Sequence, residues 1–114
     1  MLNPLYQMAN GRWTAEHAAN LLLLETNKLK EAARVLFDKH DSDERINDLI
    51  TAFATALVVH VLTTRYSKES TKWLFMVEKA RKFINSVAQK HKCKTTSVKK
   101  AAQQFAKGIQ SLNE

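Results

Sequence analysis

The sequence predicts an all-α protein, a compact helical bundle of three long helices with a short N-terminal helix before them and a peripheral C-terminal helix after them. Two observations predict this class. The 114-residue chain holds only two Gly and one Pro, too few for the turns of a β-sandwich or β-barrel. Its apolar residues recur every three or four positions, the period of a helix that packs by one face. At this length, residues 1–114 form a single domain around one core.

Capping residues and polar breaks delimit the helices. Short polar side chains satisfy the free N–H groups at a helix start, and Gly favours a helix end. These signals predict a short helix from Asn3-Pro4 to Gly11, followed by a helix of about 25 residues from the Thr14 cap to Asp38 or His40. A third helix starts at Asp41-Ser42-Asp43-Glu44 and runs through Thr64. A fourth runs from Ser67–Ser70 toward His91, and a last helix begins after Lys94–Ser97 and reaches Leu112.

The helix that starts after Asp41 is apolar around most of its circumference, with Phe53 at its centre. Such a helix is expected at the middle of a bundle. Its most apolar window, residues 46–62, is interrupted by polar residues and is shorter than the roughly 20 residues of a membrane crossing, so no membrane is expected. Residues 1–13 lack the pattern of a signal peptide. The single cysteine, Cys93, cannot form an internal disulfide, which favours a cytoplasmic protein.

Positive charge is concentrated in the C-terminal half of the chain. The net charge is +7, with −2 in residues 1–57 and +9 in residues 58–114. Lys68, Lys72, Lys79 and Lys90 are separated by four, seven and eleven residues, close to whole helical turns, with Lys82 beside them. This lysine row predicts a non-catalytic protein that binds nucleic acid through phosphate contacts. A simply solvated lysine face is the competing interpretation.

Three apolar residues support an alternative, a protein-binding adaptor or inhibitor. Leu23 and Leu24 fall off the apolar stripe of their helix, and Phe75 flanks the lysine row. Exposed apolar side chains are typical of contact with a partner or of a homo-oligomer. In this alternative the lysines steer the protein toward an acidic protein surface.

An enzyme is the third hypothesis. Arg34 and His40 are separated by five residues and Arg12 and His17 by four, and both pairs resemble the R-x4–6-H element of HEPN-type helical ribonucleases. The resemblance implies RNA cleavage by an Arg and a His on one concave surface. Five Arg and four His in one chain also produce such spacings by chance. We therefore expect no catalytic residues, and the scattered His predict neither metal nor cofactor.

Two polar residues occupy helix positions where the apolar period continues, Glu25 and His60. If their helices are antiparallel, a carboxylate–imidazolium pair could form between them. The alternative is a neutral His60 bonded to the backbone and a Glu25 that extends its side chain to solvent.

Overall fold

The computed structural model describes residues 11–109, and all regular structure in this range is helical. The prediction of an all-α class is confirmed, whereas the predicted helix at Asn3-Pro4 lies outside the described residues. The elements are α1 (Ala15–Leu22), α2 (Thr26–Ala32), a 3₁₀ turn (Ala33–Leu36), α3 (Asp43–Arg65), a second 3₁₀ turn (Ser67–Glu69), α4 (Ser70–Lys90) and α5 (Thr95–Lys107).

The α3 helix lies at the centre and packs against α1, α4 and α5. Ser42 caps its start by accepting the Arg45 N–H at 3.2 Å. Every residue from Ala52 to Val59 is buried, and the Phe53 ring meets the Phe105 ring of α5 edge to face at 5.8 Å between centroids. By length and composition α3 could cross a membrane, but more than half of its most apolar window is buried inside the bundle. Its predicted place in the core is confirmed.

The predicted long helix from Thr14 to Asp38 or His40 is wrong, because the chain turns sharply after Leu22. Leu23 takes a left-handed conformation with φ 59°, and the Leu24 N–H donates to the Ala19 carbonyl at 2.8 Å. This pairing is the Schellman helix end, which normally uses Gly or Asn at the left-handed position. Only α3 and α4 exceed 20 residues, so the bundle has two long helices rather than three.

The described chain begins with an extended segment, Gly11–Thr14, which contacts α3 and α4. The buried hydroxyl of Thr55 accepts the Trp13 N–H at 2.9 Å and donates to the Trp13 carbonyl at 3.1 Å. Gly11 has φ +91° and lies so close to α4 that a Cβ would be 2.4 Å from the Lys79 carbonyl oxygen. Only glycine fits this position.

The α4 helix follows its predicted bounds closely, whereas α5 ends at Lys107, before the predicted end at Leu112. α4 ends one residue before His91, and its Trp73 indole donates to the Tyr66 carbonyl at 2.8 Å. The α5 helix buries a narrow face of Val98, Ala102 and Ala106. It packs mainly on α3 and makes few contacts with α4. The C-terminal helix is therefore more a part of the core than the predicted peripheral helix.

Candidate nucleic-acid interface

The lysines of the predicted row lie in different environments in the structure. Lys68 is exposed in the second 3₁₀ turn, before α4 begins, and Lys82 is exposed on α4. Lys72 also lies in α4. Lys79 is half-buried, with its ammonium 5.3 Å from the centre of the Phe75 ring. This contact is a cation–π interaction between residues four apart on one helix.

Lys90 is engaged by acidic residues of α3. Its ammonium pairs with the Glu44 carboxylate and lies 3.2 Å from the Asp48 carboxylate. The hydrogen bond to Glu44, followed by that to Asp48, raises the Lys90 pKa above its ordinary value. Next to it the His91 ring lies 2.7 Å from the same Asp48 oxygen, and the Arg45 guanidinium donates to the His91 carbonyl. The ion pairs of Lys90 therefore connect the end of α4 to the start of α3. A lysine available to bind a phosphate would instead have no carboxylate beside it.

Asp48 is the centre of this acid–base cluster. Partial burial raises its pKa, but hydrogen bonds from His91 and Lys90 and their charges outweigh burial, so the pKa is lowered overall. The carboxylate stays ionised near neutral pH, and the contacts between α3 and α4 keep their charge complementarity.

Four lysines without an ion pair in the described chain lie close together in sequence where α4 turns into α5. Lys92, Lys94, Lys99 and Lys100, which we call the basic corner, are all exposed. None of the four ammonium groups has an ion pair or hydrogen bond with any residue in the range 11–109. The sequence signal for this surface is the complete absence of Asp and Glu from residue 79 to residue 113, a stretch that holds nine Lys and Arg.

The backbone of the turn holds the basic corner in place. Lys92 is left-handed with φ 54°, and the Cys93 N–H donates to the Ala88 carbonyl at 2.9 Å, which is again a Schellman helix end. The α5 helix then begins at Thr95 with no side-chain cap at Lys94. The first-turn N–H groups and the positive end of the helix dipole add to the field of the lysines.

The predicted partner-binding residues differ in their exposure to solvent. Leu23 is 90% exposed and Phe75 is 70% exposed, as the adaptor hypothesis requires. Leu24 is half-buried and packs against the core, because the left-handed turn at Leu23 directs it inward. Leu24 is therefore unsuited to be a partner contact.

Two of the candidate pairs, Arg34 with His40 and Glu25 with His60, form no hydrogen bond or ion pair with each other in the described chain. Arg34 lines a groove beside α2, while His40 is exposed in the following turn and is not part of the groove lining. Glu25 is exposed at the start of α2 and does not pair with His60. Burial, followed by the positive charge of Lys107, lowers the His60 pKa, which favours the neutral ring of the alternative interpretation.

Within residues 11–109, no three His, Cys, Asp or Glu side chains come close enough together to hold a metal ion. No protein-family model, curated protein or solved structure matches this chain.

Proposed function

We propose that the protein is a non-catalytic nucleic-acid-binding protein that contacts phosphates through its C-terminal half. The observation that carries the proposal is the basic corner, four exposed lysines that have no acidic partner among the described residues and surround the start of α5, which has no side-chain cap. A surface of this kind attracts any polyanion, and the regularly spaced phosphates of nucleic acid fit it best.

The geometry favours contact with the phosphate backbone of nucleic acid over recognition of its bases. From Lys94 to Lys100, α5 extends roughly 9 Å at 1.5 Å per residue, about three base steps at 3.4 Å along one strand. Lysine is a flexible point charge that neutralises phosphate without the fixed fork that arginine presents to a base. Lys68 and Lys82, which are also exposed, add positive charge before and along α4, away from the corner. Binding is therefore expected to be independent of sequence.

Fluorescence anisotropy over a salt series tests this proposal. Each lysine–phosphate contact releases counterions. The slope of log K against log salt concentration therefore becomes more negative by about 0.9 for each contact on duplex. The double variant Lys99→Gln/Lys100→Gln should flatten this slope by roughly 1.8. It should also weaken binding to unrelated nucleic-acid sequences equally. The matched control Lys28→Gln/Lys39→Gln removes the same charge from exposed lysines of the N-terminal half and should leave the slope unchanged.

Two results would contradict the proposal. One is that the wild-type protein shows no salt-dependent binding to duplex or single strand at low ionic strength. The other is an equal loss in both double variants, which would mean that only the net charge matters. Circular dichroism of both variants checks that the helices are intact.

A second candidate function, contact with another protein, is favoured by one specific observation. Leu23 is 90% exposed and also left-handed, so neither packing nor backbone conformation explains a leucine there. Co-purification with and without nuclease separates the two functions. Material lost on nuclease treatment indicates nucleic acid, whereas a protein that stays bound, or a dimer in analytical ultracentrifugation, indicates the adaptor function.

A further inference from the structure

We propose that the groove between α2 and the first half of α3 binds an acidic amphipathic helix of another protein. This surface is distinct from the basic corner and would give the protein a second kind of partner. The groove has a volume of about 770 Å³. Its apolar floor, its positive rim and the helical spacing of Ile46 and Ile50 carry the inference.

The floor of the groove is formed by Phe37, Ile46 and Ile50. All three side chains are half-buried, so part of their apolar surface remains in contact with water. Ile46 and Ile50 are four residues apart and therefore lie above one another on one face of α3. Covering this surface with apolar side chains would be favourable in proportion to the area buried.

The rim of the groove carries three cations, Lys30, Arg34 and Lys39, against one acid, Glu31. Arg34 and Lys39 are exposed, and their charged groups have no ion pair with any described residue. Lys30 lies 3.3 Å from the exposed carboxylate of Glu16, a surface pair of little stability that a partner can replace. The charge that complements this rim is negative.

The shape of the groove selects a helix among acidic partners. Ile46 and Ile50 repeat after one helical turn on the α3 wall, and the opposite wall carries two cations, Lys30 in α2 and Arg34 in the 3₁₀ turn that follows it. An incoming helix with apolar residues at i, i+3, i+4 and i+7 and acids beside them matches both walls. Nucleic acid fits less well, because the floor offers phosphates no ligand and its one ring, Phe37, is half-buried and leaves little surface for stacking on a base.

The test uses a labelled twelve-residue peptide with leucine at positions 3, 6, 7 and 10, glutamate at 1, 4, 8 and 11, and alanine elsewhere. A control peptide of the same composition has its leucines dispersed around the helix. Fluorescence anisotropy is measured at physiological ionic strength, where delocalised attraction between exposed charges is largely screened. We expect the amphipathic peptide to bind at least about tenfold more tightly than the dispersed one.

Two charge-reversed variants locate the binding. Arg34→Glu/Lys39→Glu places like charges opposite the peptide and should weaken binding by about tenfold or more. Lys99→Glu/Lys100→Glu makes the same net-charge change at the basic corner and should weaken it less than about threefold. All four side chains are exposed, so both variants should keep the wild-type helical signal.

Absence of peptide binding, equal binding of the two peptides, or equal losses in the two variants would each refute the groove. The same variants measured on nucleic acid should show the opposite order, with the larger loss at the basic corner. Failure of the groove and failure of the nucleic-acid proposal are thus separate results.

Discussion

The hydroxyl of Thr55 offers the sharpest test of how the N-terminal segment is held. Thr55→Val keeps the shape of the side chain and removes the oxygen that bonds both the N–H and the carbonyl of Trp13. Both backbone groups are buried, and each unsatisfied group costs about 1–3 kcal/mol. We expect the free energy of unfolding to fall by about 2–4 kcal/mol in total, since the new methyl group returns part of the loss by its own burial.

The assay is urea unfolding followed by circular dichroism, with Thr51→Val as the matched control. Thr51 lies one turn earlier on α3, and its hydroxyl donates only to the Asn47 carbonyl of the same helix. Its replacement should change stability by no more than about 0.5 kcal/mol. If the two variants differ by less than about 1 kcal/mol, the Trp13 bonds do not hold the segment and the reasoning fails.

Three further predictions concern the core, the left-handed turn and the acid–base cluster. Phe53→Ala should cost about 3–5 kcal/mol in urea unfolding, because Phe53 is fully buried against an α5 ring, and a loss under 1 kcal/mol would place it outside the core. Leu23→Gly should stabilise the protein by up to about 1 kcal/mol, since the left-handed strain is relieved and an exposed side chain gives up little packing; a destabilised variant in thermal unfolding contradicts this. Asp48 has a lowered pKa when folded, so its contribution to stability is present above the ordinary aspartate pKa of 3.8 and is lost as pH falls through the folded value. Asp48→Asn should therefore lose less stability on acidification than the wild-type protein, and parallel stability curves would refute the assignment.

The sequence predicted the elements whose apolar pattern and packing agree. The α3 helix was recognisable because most of its circumference is apolar, and Phe53 was correctly placed at its centre. The break at Leu23 was not recognisable, because leucine is a good helix former and the usual glycine is absent. The turn there depends on tertiary packing that directs Leu24 into the core, and no local pattern records such packing.

The candidate site was only partly predictable for a related reason. The excess of charge in the C-terminal half was visible, but which lysines stay unneutralised depends on contacts between distant residues. Glu44 and Asp48 precede Lys90 by 46 and 42 residues, and their pairing follows from the register of α3 against α4. The groove on the other side of α3 likewise depends on how the α2 segment is placed, which the predicted single long helix concealed.

The contact between Trp13 and Thr55 also limits the polar cost of opening this segment, so that the cost is mainly the exposure of the fully buried Trp13 side chain. A threonine hydroxyl inside a helix can turn to the carbonyl four residues earlier, as Thr63 does to Val59 at 2.9 Å. When the segment Gly11–Thr14 detaches, Thr55 can therefore find a new acceptor within α3, and the Trp13 backbone meets water. Detachment is then a partial unfolding that leaves the helices around α3 in place. Hydrogen exchange would register it as a Trp13 amide that exchanges ahead of the amides in the middle of α3.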